Sequence, residues 1–450
     1  MRTLIRNRLV AASVFRLATL LRGEYSMFSL IGVHRALERD SEEQSAAQID
    51  QRLVVILQYA AGHSPRYRNL LPQAGDVSEV AGLLSALPLL TKAELRDNAD
   101  GLRSRDTSLR VHAKTTGGST GQPLTVWKDS GAVANERAAS WAAYLSYGLA
   151  IGDRCVRFWG TPTTASRRVR STLADLAMNR ATFSAFAFSE QELASYWNDC
   201  RRLRPAFYYG YSSMLAAFAE YVIASGLDGT AIGASTIVST SEVLTDSQRR
   251  SMVRAFGCKV RNEYGCGELG PIAYECEQGQ LHVAAGSVFL EVLAEDGSSA
   301  LPGEIGRVVV SDLNNRAMPL LRYVTGDFAQ VGHPCTCGRN TRTLARIWGR
   351  EYDFICDQAG RKFHGEFFLY LFEDLAQRGV AVEQFQVIQR RDLSITIRLK
   401  ASGPDASALS TTVLSEARRR LPAMEISVDA VRSIERLPSG KSALIVREQS

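Results

Sequence analysis

The chain is poor in cysteine, with 8 in 450 residues, and no apolar run reaches the roughly 18 residues that a membrane span needs. So low a cysteine density excludes a disulfide-stapled scaffold. No secretory signal with a proper apolar stretch is present, and a reducing, cytoplasmic compartment is expected. No internal repeat and no low-complexity linker interrupts the sequence. Charge of one sign is also scarce: the formal net charge is +6, mostly from arginine and widely dispersed. With no accompanying motif, that balance argues against nucleic acid and suits a small anionic substrate. What remains is an ordinary globular composition, 45% hydrophobic and 22% charged, long enough for about two to four domains.

One loop stands out: Thr115-Thr116-Gly117-Gly118-Ser119-Thr120-Gly121-Gln122-Pro123. Glycines let successive backbone N–H groups converge on one point, and hydroxyls add donors, which suits a phosphate chain. No Gly-Lys-Ser/Thr follows at the spacing of a Walker A loop. Taken alone, such a run is more often a plain connector.

The pattern around it reads as α/β. Residues 1–70 are helical in pattern, and Pro88–Leu95 reads as a turn with a helix start at Thr91. Strands are expected at Cys155–Trp159, Ala206–Tyr209, Ile237–Ser239 and Lys259–Asn262, with helices at 189–203, 212–226 and 245–256. From 286 to 332, short strands separated by glycine turns read as a β-rich subdomain. Beyond Gly349-Arg350 a further unit of about 100 residues reads as a ferredoxin-like α+β lid. The first helical stretch alternates Leu4, Ile5, Leu9, Val10, Val14, Leu17, Leu20 and Leu21 with Arg2, Arg6, Arg8, Arg16 and Arg22. A surface helix packed on its domain is the preferred reading, and contact with an anionic membrane surface the lesser one.

Four more segments bear on the loop. They are Asn262-Glu263-Tyr264-Gly265-Cys266-Gly267-Glu268, Arg322-Tyr323-Val324-Thr325-Gly326-Asp327, Gly349-Arg350 and Leu437-Pro438-Ser439-Gly440-Lys441. In this order the five segments resemble the adenylate-forming superfamily, in its phenylacetate–coenzyme A ligase-like branch and nearest the capsular polysaccharide relatives. The resemblance covers about 50 to 448. It implies a multi-domain α/β fold: an adenylation domain over residues 1–349, including a β-rich subdomain at about 286–349, and a mobile lid over 350–450.

The resemblance also implies roles. Thr116, Gly117, Gly118, Ser119, Thr120 and Gly121 would hold the β- and γ-phosphates of ATP. Tyr264 would stack on adenine, with Glu263, Gly265 and Glu242 bordering the nucleotide. Glu268 would help hold Mg²⁺. Asp327 and Arg350 would take the ribose. Lys441 would bridge the carboxylate and the α-phosphate; with Glu268 and Thr120 it makes the catalytic set. Tyr209, Tyr211, Ser212 and Ser241 would border the acyl pocket, where aromatic walls suit a planar acid. The chain departs from the family at Gly117, Gln122 and Gly267, and at Glu351-Tyr352-Asp353, which puts Tyr352 at the hinge.

Cys276, His282, Cys335 and Cys337 make a Cys₃His set suited to a structural zinc. His333 is a competing ligand, and unrelated buried cysteines are the plain alternative. Cys266, inside the motif, has no partner arrangement for a nucleophile and reads as packing.

The expectation is therefore an ATP-dependent, AMP-forming ligase acting on a small carboxylic acid, with coenzyme A as acceptor. An amine or hydroxyl acceptor is the alternative, and a non-catalytic nucleotide-binding scaffold is the reading from another class. A homodimer is left open.

Overall fold

A computed structural model describes residues 4–71, 80–116, 124–159, 165–184, 189–350, 354–358, 362–364, 384–401, 406–422, 424–434 and 445–448, with scattered residues between 368 and 382. The loop 117–123, the hinge 351–353 and Lys441 lie outside the described residues, as does the side chain of Arg350. Two compact units emerge: Met1–Leu244 with Gln248–Ile347, and Trp348–Ser450 with Thr245–Ser247.

The first unit opens on helices α1 (Arg8–Leu21), α2 (Met27–Arg39) and α3 (Glu42–His63), followed by the short α4 (Pro65–Arg68), α5 (Val80–Ala86), α6 (Lys92–Asp97) and α7 (Ala99–Leu102). Local chemistry sets their starts. Asn7 accepts the N–H groups of Leu9 and Val10, and Ser41 with Gln44 forms a capping box ahead of α3. Strands β1 (Val111–Thr116) and β2 (Leu124–Asp129) then pair as an antiparallel hairpin, Thr116 opposite Leu124, which holds both ends of the glycine loop together.

The long helix α8 (Ser130–Ser146) leads into alternating strands and helices: β3 (Cys155–Trp159), α9 (Ala165–Ala177), β4 (Arg180–Ser184), α10 (Glu190–Leu203), β5 (Phe207–Tyr211), α11 (Ser212–Ala224), β6 (Thr236–Thr240), α12 (Asp246–Phe256) and β7 (Lys259–Cys266). Here β4-β3-β5-β6-β7 are all parallel neighbours. Every residue of β6 is buried, as expected for a strand covered on both faces. Gly210 is required on β5, because a side chain there would run into the Phe158 carbonyl.

Pairing changes to antiparallel at β8 (Gly270–Glu275) and β9 (Leu281–Val283). The strands β10 (Val288–Leu293), β11 (Ile305–Asp312), β12 (Tyr323–Val331) and β13 (Thr343–Arg350) then continue the same 11-stranded sheet. The β-rich stretch is joined to the rest through a short β9–β13 contact, with Thr343 opposite His282. The second unit holds a hairpin, Phe354–Cys356 with Lys362–His364, and a four-stranded sheet. In that sheet Gln384–Gln389 pairs antiparallel with Ile395–Lys400, and Ile426–Val431 and Ile445–Arg447 flank them in parallel. The helix Ala406–Arg420 covers it, burying Val413 and Ala417 against Val387, Ile397 and Leu399. Among the described residues no helix is long and apolar enough to cross a membrane.

The foot of the β1–β2 hairpin carries a charge cluster. Lys128 is 1% exposed; its ammonium is ion-paired with Glu136 and lies 3.7 Å from Asp312, and Lys114 reaches Glu136 at 3.6 Å. Burial alone would push the Lys128 pKa down; the two carboxylates outweigh it and hold it above the ordinary lysine value. Lys128→Met would strip the buried Asp312 of its lysine and leave Glu136 with Lys114 alone, so the first unit should lose roughly 3–5 kcal/mol in urea unfolding followed by fluorescence. A loss under about 1 kcal/mol would show that the cluster is not a buried ion pair.

Candidate functional site

In an open sheet the crevice outside the carboxyl ends of parallel strands is the natural ligand site. Here those ends carry Tyr209, Tyr211, Ser212, Ser241, Glu263, Tyr264 and Gly265 of the residues expected from sequence. β5 ends at Tyr209-Gly210-Tyr211 and hands over directly to Ser212 of α11. β6 ends at Thr240, before Ser241 in the left-handed region at φ 69°. β7 runs through Glu263, Tyr264 and Gly265 to Cys266.

One apolar cluster holds this region together. It joins Leu124 and Val126 of β2, Leu90 and Leu95 of the segment before the hairpin, Tyr264 and Leu269, and Leu320, Leu321 and Tyr323 entering β12. The backbone adds a clamp: the Leu90 N–H donates to the Arg322 carbonyl, and the Val324 N–H to the Leu90 carbonyl, each at 2.9 Å. The Arg322 guanidinium grips both carboxylate oxygens of Glu291 and donates to the Ser85 and Leu87 carbonyls.

On this frame Tyr264 and Asp327 meet: the phenol donates to Asp327 Oδ2 at 2.8 Å, and both residues are buried. Burial, with the adjacent carboxylate, holds the Tyr264 phenol well above its ordinary pKa. Glu268 is buried and paired with Lys92 Nζ at 3.3 Å. Lys92, the first residue of α6 after the Thr91 cap, was not assigned from sequence. A lone lysine after a cap has no periodicity to mark it.

Glu263 lies apart from that pair. It accepts from Tyr144 at 2.7 Å and from Tyr209 at 2.9 Å, with Thr240 as a further donor. Burial raises its pKa, and the three hydroxyl donors oppose the rise. The Tyr209 ring stacks on Trp159 at 5.7 Å, and Tyr211 tilts onto the same indole at 4.5 Å. Tyr144, contributed by α8, is a second residue that sequence reasoning missed. Glu242 turns to the start of α11, where Oε2 accepts the Ser213 N–H at 2.7 Å. Ser212 Oγ lies 2.7 Å from Ser239 Oγ and donates to the Glu242 carbonyl at 3.3 Å. Cys266 has its thiol pushed up to about 12 by burial and the Glu268 carboxylate, a poor state for a nucleophile.

The four candidate metal ligands come together as well. Cys276 Sγ, His282, Cys335 Sγ and Cys337 Sγ present ligand atoms all within 4.8 Å of one another. Cys276 and Cys335 are 3.6 Å apart, and Cys337 Sγ is 3.2 Å from His282 Nε2. A tetrahedral zinc with bonds of about 2.3 Å to sulfur sets its sulfurs about 3.7 Å apart, so the set fits the ion. His282 Nδ1 lies 3.2 Å from Thr341 Oγ1, an outer contact that leaves Nε2 facing the thiols. Burial pushes this imidazole down to about 4, into its neutral, ligating form. His333 is exposed and not part of the group.

Replacing Glu263 by glutamine keeps an acceptor for the tyrosines and removes the titration. Its folded pKa is raised, so wild-type stability relative to Glu263→Gln should be flat below the ordinary carboxyl value. It should then fall as pH rises through the window above that value. Denaturant melts across mildly acidic pH read this difference; a difference that grows with pH would reverse the assignment.

No protein-family model matches the chain. The phenylacetate–coenzyme A ligase of Thermus thermophilus is 28% identical over 411 residues, covering 86% of this chain and 89% of that protein. Protein CapK of Staphylococcus aureus is 24% identical over 318 residues, 68% of each chain. The solved structure of 2-hydroxyisobutyryl-CoA ligase with a bound acyl-adenylate superimposes with a TM-score of 0.73 at 19% identity, covering 92% of both chains. The order of the segments, the switch of the sheet at β7 and these likenesses agree: the chain has the fold of the adenylate-forming superfamily and counts CapK and the phenylacetate–coenzyme A ligases among its homologues.

Proposed function

We propose that the chain is an AMP-forming ligase that activates a small carboxylic acid with ATP and passes the acyl group to coenzyme A. The observation that carries this reading is the convergence of Tyr264 with Asp327, beside Glu268 with Lys92, at the end of β7. In the first half-reaction a carboxylate oxygen bonds to the α-phosphorus of ATP as the bond to the bridging oxygen breaks, releasing pyrophosphate. In the second, a thiolate attacks the acyl carbonyl and AMP departs. The protein's part is positioning and charge stabilisation.

Asp327, which accepts from Tyr264, is assigned to the ribose hydroxyls, with Arg350 beside it. Tyr264 gives adenine a flat apolar neighbour. Thr116, Gly117, Gly118, Ser119, Thr120 and Gly121 are the proposed cradle of the departing pyrophosphate, with Lys441 at the α-phosphate. Glu268 is the residue that would hold Mg²⁺, which offsets phosphate charge when bound; Lys92 neutralises the same carboxylate. Tyr209, Tyr211 and Trp159 are proposed as walls of the acyl pocket, with Glu263 fixing Tyr209 rather than touching nucleotide. The C-terminal residues 350–450 are assigned as the lid that brings Lys441 in. The Cys₃His set would hold a structural zinc, and the proposed compartment is the reducing cytoplasm.

Pyrophosphate release across a panel of carboxylic acids, with and without coenzyme A, tests the proposal. One or a few acids should drive ATP to AMP, and coenzyme A should yield a thioester. Failure of every acid would end the ligase reading; release that needs an amine or hydroxyl acceptor and ignores coenzyme A would move the acceptor. Glu268→Gln should lower adenylation about 100-fold while the fold survives. Plasma emission analysis should find zinc near one per chain, and Cys335→Ser with Cys337→Ser should lose it together with thermal stability. Absence of zinc from protein purified without chelators would remove the site.

A further inference from the structure

We infer that helix α1, Arg8–Leu21, docks the protein on an anionic lipid bilayer. The helix has two apolar faces. One is used inside the protein: Ala11, Phe15 and Thr19 are buried, with Phe15 set edge-on to Phe28 and Trp141 at 6.3 and 6.1 Å. Asn179 fixes the segment ahead of the helix, accepting the Ile5 N–H at 2.8 Å and donating to its carbonyl at 3.0 Å.

The other face has no such use. Leu9 is 74% exposed, Leu21 69%, Leu17 58%, Leu20 57% and Val10 50%. At 3.6 residues per turn these five fall within an arc of about 120°, opposite the buried Ala11–Phe15–Thr19 stripe. Tyr25, 49% exposed, follows the helix. These six make up nearly half of the large apolar side chains exposed among the described residues, and Leu173 and Leu176 of the neighbouring α9 add two more. Exposed apolar residues scattered singly need no explanation; a continuous arc on one helix does.

Charge selects the occupant. Residues 1–23 carry five arginines and no acid, and Arg6, Arg8 and Arg16 are exposed. Glu24, which ends this run, is buried and paired with Arg137 at 2.9 Å, and Asp175 of α9 is held by Arg180 at 2.8 Å. A second copy meeting this face across a two-fold axis would set the acid-free arginine run against itself. An anionic bilayer answers both features, with acyl chains for the leucines and negative headgroups for the arginines.

Flotation of the full chain with phosphatidylglycerol-containing vesicles, against pure phosphatidylcholine vesicles, tests this. The protein should float with the first and not the second, and added salt should weaken the binding. Leu17→Glu with Leu21→Glu, and separately Arg6→Glu with Arg8→Glu, should each reduce bound protein by about tenfold or more. Circular dichroism and ATP–pyrophosphate exchange should stay at wild-type level. Equal binding to neutral and anionic vesicles, no binding to either, or variants that bind as well as wild type would overturn the proposal. A dimer seen in analytical ultracentrifugation that the leucine variant dissolves, without vesicle binding, would make the face a self-contact instead.

Discussion

A buried hydrogen bond, Tyr264 to Asp327, helps tie together two strands 63 residues apart in sequence. It forms because one apolar cluster draws β7, the start of β12, the 90–95 segment and the β2 strand of the glycine-loop hairpin onto a common base. The polar groups ride on that base. Glu268 meets Lys92 because Leu90 is laced to the backbone on either side of Tyr323, which sets the start of α6 against the turn after β7.

The sheet gives this place its chemistry. Parallel strands end at Tyr211, Thr240 and Cys266, and pairing reverses one turn later, at β8. In an open sheet the carboxyl ends of such parallel strands are where ligands bind. The Cys₃His group sits on the far edge of the same antiparallel stretch. It links the β8–β9 turn to the β12–β13 connection, where β9 and β13 share only a short pairing. An ion there would supply the cohesion that so few ladder bonds provide.

Much of this was legible in the sequence. Loop and motif order pointed to the fold, and ligand types in Cys276, His282, Cys335 and Cys337 pointed to a group that the chain does bring together. The strand Cys155–Trp159 was plain from an apolar run between turns. Other features carried no local signal. β4 was missed because Arg180–Ser184 is short and sits at the sheet edge, where few apolar residues are needed. Lys92, Lys128 and Tyr144 act through partners 8 to 184 residues away, so only tertiary packing reveals them. Glu263 was placed with the nucleotide because of its motif, yet the side chain turns to Tyr144 and Tyr209, since alternate residues of a strand face opposite ways.

The central claim is that these convergent groups form an acyl-adenylate as a separate, reversible step. Acid-dependent ATP–pyrophosphate exchange without any acceptor measures that step alone. The account predicts exchange that requires the acid, persists without coenzyme A and collapses in Asp327→Ala. Exchange independent of the acid, or none with any acid while an acyl-transfer product still forms, would contradict it.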